Sequence, residues 1–340
     1  MSKKSGDGKV ESLQAVLDPT VMLGVLRDVL SGSAATPPAS IAVDILRHRP
    51  GRKHAVVEYH LLADDGSELD VCIGKVFSKS KRAKRLQQVL KATHSHLGAR
   101  TPVPVPMGCV KKYALVLMRK VEGELLEPIL VNGGDDAEQA SRLTARALAT
   151  LHSVPIEDGK AGTLNDELAS MREKDSCREI ALVLVAEGEL LLAEIEERAA
   201  TLPGPGAPTL IHGSFRPTEV LVGDGRASFV DLDGWSLGDP ALDLGYNMAD
   251  TWWETSKTGE EAMYPWAERL LEQYIEENDS PGLRERARLY ETFSLTRLML
   301  KKVRSLGRKG PEERAEKLAK YLGQAEQLRD RARSRLPLAK

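Results

Sequence analysis

Apolar residues at positions 13, 16, 17, 23, 26 and 30 recur at helical spacing, and the break at Asp18-Pro19 predicts a helix interrupted there. The twelve residues before it are polar and predict a frayed end. After a small-residue loop containing Pro37-Pro38 the period changes. Residues 41–46, 55–62 and 69–77 are short apolar runs separated by Arg49-Pro50-Gly51-Arg52 and Asp64-Asp65-Gly66-Ser67, which is turn chemistry, so an antiparallel meander is expected. A helix is predicted over 78–97, with Leu86, Val89, Leu90 and Leu97 as its apolar face. The alternating prolines of 102–106 predict extended chain, and residues 113–118 a strand. From there the pattern is mainly helical. Helices are predicted over 136–154 and 179–200, separated by a polar, irregular stretch at 156–178 that reads as a surface loop or a short helix, and then over 246–253, 262–277, 283–305 and 311–335. The last of these has few strong apolar residues, and reads as a surface helix laced with charge pairs or as an interaction arm. One hairpin interrupts the helical part: residues 220–222 and 227–232 are apolar runs around the turn Gly223-Asp224-Gly225.

Composition narrows the class. With 340 residues, 41% hydrophobic and 29% charged, the chain can bury a large core as a globular protein. A net charge of -2 supplies no overall drive toward nucleic acid or anionic membrane, and neither is expected as a partner. The N-terminus has lysines with no apolar stretch behind them, and nowhere is there a run of ~18 apolar residues long enough to span a bilayer. Cys72, Cys109 and Cys177 show no metal-ligand spacing and cannot all pair, so a reducing cytoplasm is expected. Lys79, Lys81, Arg82, Lys84 and Arg85 form a charge run that reads first as a solvated helix face, with an acidic partner or anionic substrate as the alternative.

The candidate chemistry lies at 210–245. His212-Gly213-Ser214 precedes the hairpin, Glu219 stands at its first strand, Val230-Asp231-Leu232-Asp233 at its end, and Asp239-Pro240-Ala241-Leu242-Asp243-Leu244-Gly245 follows. This ordered spacing resembles the catalytic segment of the aminoglycoside phosphotransferase and choline kinase branch of the kinase-like fold. The resemblance implies an α+β, bilobal architecture. A helical extension (1–40) would precede a small antiparallel-sheet lobe (41–122), followed by a large helical lobe (123–340). It also implies ATP and Mg²⁺ as cofactors and phosphate transfer to a hydroxyl of a small molecule.

Residue by residue, the family's catalytic aspartate falls on Ser214 and its metal-binding asparagine on Glu219, while its metal-binding aspartate is Asp231. The strand lysine that meets nucleotide phosphates is matched by Lys75, the loop over the nucleotide by the segment containing Arg52, and the hinge by residues 118–123, with Met118 and Val121 beside the adenine. His212, Asp239 and Asp243 match loop-holding positions, and His152 ends a large-lobe helix as a packed histidine. Asp250, Trp253 and Glu254 fall in the helical region that lines acceptor pockets in the family, the tryptophan equally suited to core packing. Three departures stand out. A serine cannot accept a proton at neutral pH. A glutamate replaces a neutral amide. No Asp or Glu occurs between Asp70 and Glu122, so the 78–97 helix cannot supply the glutamate that holds the lysine in kinases. Asp233 is the candidate substitute base. The competing reading is a pseudokinase that binds nucleotide or scaffolds a protein partner.

Overall fold

A computed structural model of the chain describes residues 7–31, 36–48, 54–156, 159, 161–172, 182–258, 263–278, 280–307 and 309–336. Arg52 and its turn, Cys177 and the first six residues lie outside the described residues. The chain divides into two compact units, one of Met1–Glu122 with Ser228–Asp233, the other of Gly123–Ala227 with Gly234–Lys340.

The first unit opens with helices α1 (Asp7–Leu17) and α2 (Pro19–Leu30). The break between them is a helix cap. Asp18 is extended, its Oδ1 accepts from Thr20 N at 2.8 Å and Val21 N at 3.3 Å, and Pro19 occupies a first-turn position that needs no donor. Strands β1 (Ser40–Arg47), β2 (His54–Leu62), β3 (Glu68–Phe77), β4 (Pro106–Val110) and β5 (Leu115–Arg119) form one antiparallel sheet in the order β1-β2-β3-β5-β4, and helix α3 (Ser80–Leu97) connects β3 to β4. Strand β5 starts later than the apolar run at 113 suggests. A tight turn at Lys111–Tyr113 and a left-handed Ala114 (φ 49°) use up the first residues of that run.

The N-terminal helices share the sheet's core. Val16, Met22 and Leu26 are fully buried together with Val57, Tyr59, Cys72, Leu115 and Leu117, and Tyr59 Oη donates to Val16 O at 2.8 Å. Truncating Leu26 to alanine is expected to cost about 2–5 kcal/mol in chemical denaturation, since this packed site cannot collapse around the void. Burial also pushes the Cys72 thiol up to about 12, leaving it an inert core group.

The second unit contains β6 (Glu124–Leu125), α4 (Leu126–Asn132), α5 (Gly134–His152), α6 (Leu164–Arg172), α7 (Leu182–Thr201), β7 (Thr209–Ile211), β8 (Val220–Gly223) and the first half of β9 (Arg226–Phe229), whose last two residues belong to the first unit. These are followed by β10 (Ser236–Gly238), α8 (Ala241–Thr258), α9 (Tyr264–Glu277), α10 (Leu283–Gly307) and α11 (Pro311–Arg335). Strands β6, β8 and β9 form a small sheet, and β7 pairs with β10. One expectation is corrected here and one open reading is resolved. The polar stretch at 156–178, read as a surface loop or a short helix, contains the short helix α6, whose start is tied by Thr163 donating to Asp166 and whose Leu168 and Met171 are buried. The pair β7 and β10 is too short to show a period. Strand β9 ends at Phe229, short of residue 232: Asp231 is left-handed (φ 62°) and Leu232–Gly234 is a tight turn. The hairpin turn itself uses left-handed Asp224 (φ 51°) and Gly225 (φ 69°), the pair of positive values that suits the twist of two-residue hairpins. On α11, Glu313 pairs with Lys309 at 2.5 Å and Lys317 at 2.8 Å, while Ala325, Leu328 and Ala332 are buried.

Candidate active site

In the first unit, Lys75 lies near the end of β3, opposite Val56 of β2 and Val116 of β5. Its side chain is 7% exposed, and Nζ meets Asp231 Oδ1 at 2.5 Å and Asp233 Oδ1 at 2.7 Å, 5.6 Å from the centre of the Phe77 ring. Both carboxylates lie beyond the end of β9 at Phe229. Asp231 is left-handed and a tight turn follows it, and in this local geometry the side chains of residues 231 and 233 both reach one ammonium. Sequence reasoning missed His54, the first residue of β2, whose Nδ1 is 3.8 Å from Asp233 Oδ2. Burial, and then the Lys75 charge, hold its pKa below the ordinary histidine value, so it is neutral at pH 7. Nothing in its sequence context marked it.

One ammonium between two carboxylates leaves a net negative charge in a partly dry site, an environment that favours a hard cation with oxygen ligands. Among the described residues, no three His, Cys, Asp or Glu side chains form a ready-made metal cage. Magnesium does not require one, because it takes one or two carboxylates and completes its shell with water and phosphate. The residue types present therefore fit the ion. Met118, on β5, is nearly buried, and Val121, just beyond the strand, is half-buried.

In the second unit, the loop His212-Gly213-Ser214 is held from beneath by Asp243 of α8. The fully buried Asp243 carboxylate accepts from His212 N at 2.7 Å and Gly213 N at 2.8 Å, and its Oδ2 lies 3.1 Å from His152 Nε2, whose Nδ1 is 2.7 Å from Tyr274 Oη. Gly213 is left-handed (φ 80°), and a Cβ there would sit 2.3 Å from Gly234 O, so both the conformation and the space demand glycine. Removing the Asp243 carboxylate strands two backbone donors and an imidazole inside the protein. Asp243→Ala is expected to cost about 3–5 kcal/mol, read as a lowered midpoint in thermal or denaturant unfolding.

Around this loop, Glu219 is buried and engaged: its Oε1 accepts from Arg216 Nε at 3.0 Å and lies 2.8 Å from Arg216 Nη2, and its Oε2 is 4.0 Å from His212 Nε2. At most its second oxygen faces any cation. Arg216, which sequence reasoning passed over, also pulls on Asp250, whose pKa burial pushes up to about 6 against that guanidinium. Trp253 is 4% exposed with Lys257 and Lys302 each 5.0 Å from its ring, and Glu254 pairs with Lys257 at 2.5 Å. Asp239 caps α8 by accepting from Ala241 N at 3.0 Å and receives Arg286 Nε at 2.8 Å.

Residues 58–291 match the profile of the phosphotransferase enzyme family that includes the aminoglycoside phosphotransferases. The chain belongs to this family. No curated protein matches its sequence. Among solved structures, this phosphotransferase-family chain is similar to a choline/ethanolamine kinase family protein from Mesorhizobium loti, with 14% identity, a TM-score of 0.59 and coverage of 96% of this chain and 94% of that one. It is also similar to an ethanolamine kinase from Plasmodium vivax, with 11% identity, a TM-score of 0.59 and 98% of each chain covered. A third is the ADP-bound aminoglycoside phosphotransferase APH(2'')-Ib, with 14% identity, a TM-score of 0.57 and coverage of 90% and 98%. The fold is thus the protein kinase-like one, a five-stranded antiparallel sheet in one unit and a larger, mainly helical second unit. Among the described residues no helix is long and apolar enough to cross a membrane.

Proposed function

We propose that this family member transfers phosphate from ATP, with magnesium, to a hydroxyl of a small molecule. The observation that carries the reading is Lys75, buried and held at 2.5 and 2.7 Å by Asp231 and Asp233. An ammonium there neutralises phosphate charge, and Asp231 is the hard-oxygen ligand for the cation. Magnesium, when bound, supplies charge stabilisation on the transferring phosphoryl group. Arg52, Met118 and Val121 are the proposed nucleotide contacts. Glu219 serves the loop through Arg216, with its second oxygen as a lesser cation contact. In the second unit Asp250 and Glu254 are the proposed acceptor contacts, and Trp253 supports them by packing. Ser214 can orient the acceptor hydroxyl by hydrogen bonding but cannot take its proton, so turnover is slow. The free thiols Cys72 and Cys109 suit the proposed cytoplasmic setting.

The serine at position 214 also favours a second reading, a pseudokinase that binds nucleotide and acts through a protein partner. Calorimetry with ATP, with and without magnesium, followed by turnover on a panel of hydroxyl acceptors, separates the two. Magnesium-dependent binding with turnover is expected. Binding without turnover on any acceptor moves the conclusion to the second reading, and failure to bind ATP refutes nucleotide use in both.

A further inference from the structure

We propose that Asp233 is the residue that positions Lys75, taking the role that protein kinases give to a helix glutamate, and is not the substitute base. The inference rests on the nucleotide-binding reading above. The interval from Val71 to Val121, which includes all of α3, contains no carboxylate, so the element that holds the lysine in kinases has nothing to hold it with. Asp231 and Asp233 both occupy Lys75 Nζ, yet Asp231 is also the proposed cation ligand. Once Asp231 is turned to a cation, Asp233 is the carboxylate left to keep the ammonium aimed.

The placement of Asp233 agrees with this division. Its Oδ1 is buried and ion-paired with Lys75 at 2.7 Å, and its Oδ2 lies 3.8 Å from His54 Nδ1, both residues of the first unit. A general base must instead present an oxygen to the acceptor hydroxyl. The tight turn Leu232–Gly234 fixes the carboxylate in this direction.

The test compares the full-length protein with Asp233→Asn and Asp233→Glu. The first readout is the rate at which acetic anhydride acylates Lys75, mapped by mass spectrometry with excess magnesium and without nucleotide, in an Asp231→Asn background as well as in the wild-type background, so that Asp231 does not hold the lysine in place of Asp233. The second is ATP affinity by calorimetry, and the third is kcat against KM. For Asp233→Asn, Lys75 should be acylated several-fold faster and ATP should bind about tenfold more weakly, the loss expected for one buried ion-pair partner. KM should rise more than kcat falls, and Asp233→Glu should restore both lysine protection and ATP affinity to near the wild-type level. Unchanged acylation of Lys75 when Asp233→Asn is added to the Asp231→Asn background would overturn the proposal. So would unchanged ATP affinity with turnover down about 10²–10⁴-fold, the signature of a lost base. Because the acylation readout uses no nucleotide, it decides whether Asp233 holds Lys75 even if the wild-type protein binds no ATP, an outcome that would instead refute the proposed function.

Discussion

Asp231→Asn is expected to remove the enhancement of ATP binding by magnesium and to lower any phosphate transfer by about a thousandfold, while the protein stays folded. The size follows from the several kcal/mol that a cation contributes to a transferring phosphoryl group, each 1.4 kcal/mol being worth a factor of ten. Asparagine is the right replacement because Asp231 is left-handed (φ 62°), a conformation that asparagine tolerates and alanine resists. Asp231→Ala would add backbone strain to the loss of charge and should melt lower than Asp231→Asn. Lys75 keeps Asp233 as a partner in either variant, so binding of ATP without magnesium should change less than binding with it. Calorimetric titration at matched ionic strength reads both quantities. Equal enhancement by magnesium in wild type and Asp231→Asn would remove Asp231 from the cation site.

Ser214→Asp is expected to raise turnover by about 10²–10⁴-fold, the usual contribution of a positioned base. The loop is already built for it. Asp243 holds the backbone of His212 and Gly213, so residue 214 leaves a pinned turn, and the neighbouring Gly234 has no side chain to fill the space beside the Ser214 hydroxyl. Initial rates on the best acceptor found for the wild type, with ATP saturating, measure the gain. A large gain would show that the native protein lacks only a proton acceptor. No gain, with ATP affinity intact, would mean that the chain has lost more than one catalytic feature, as the pseudokinase reading requires.

Much of the fold was legible because its period changes sharply along the chain. The meander of β1 to β3 and the helices α3, α5, α10 and α11 follow from apolar spacing and from turns built of Gly, Pro and Asp. Elements of two or three residues, such as β6, β7 and β10, are too short for a repeating pattern to show and carry no such signal. The helix α6 was hidden for a related reason: only Leu168 and Met171 are buried along it, too few to stand out from a polar stretch.

The candidate site divides in the same way. Sequence alone determined which residue types are available: Lys75 on a strand, Asp231 and Asp233 after a hairpin, Ser214 where the family has a carboxylate, and no acid from Val71 to Val121. These are matters of order and spacing, which a linear chain states outright. Tertiary structure decided which groups are joined. It placed Asp231 and Asp233 on one ammonium across 156 positions of sequence separation in the first of the two pairs, set His54 beside them, and committed Glu219 to Arg216. Those pairings depend on a left-handed residue, a tight turn and burial that strengthens charge, and each of these exists only once the chain has closed on itself.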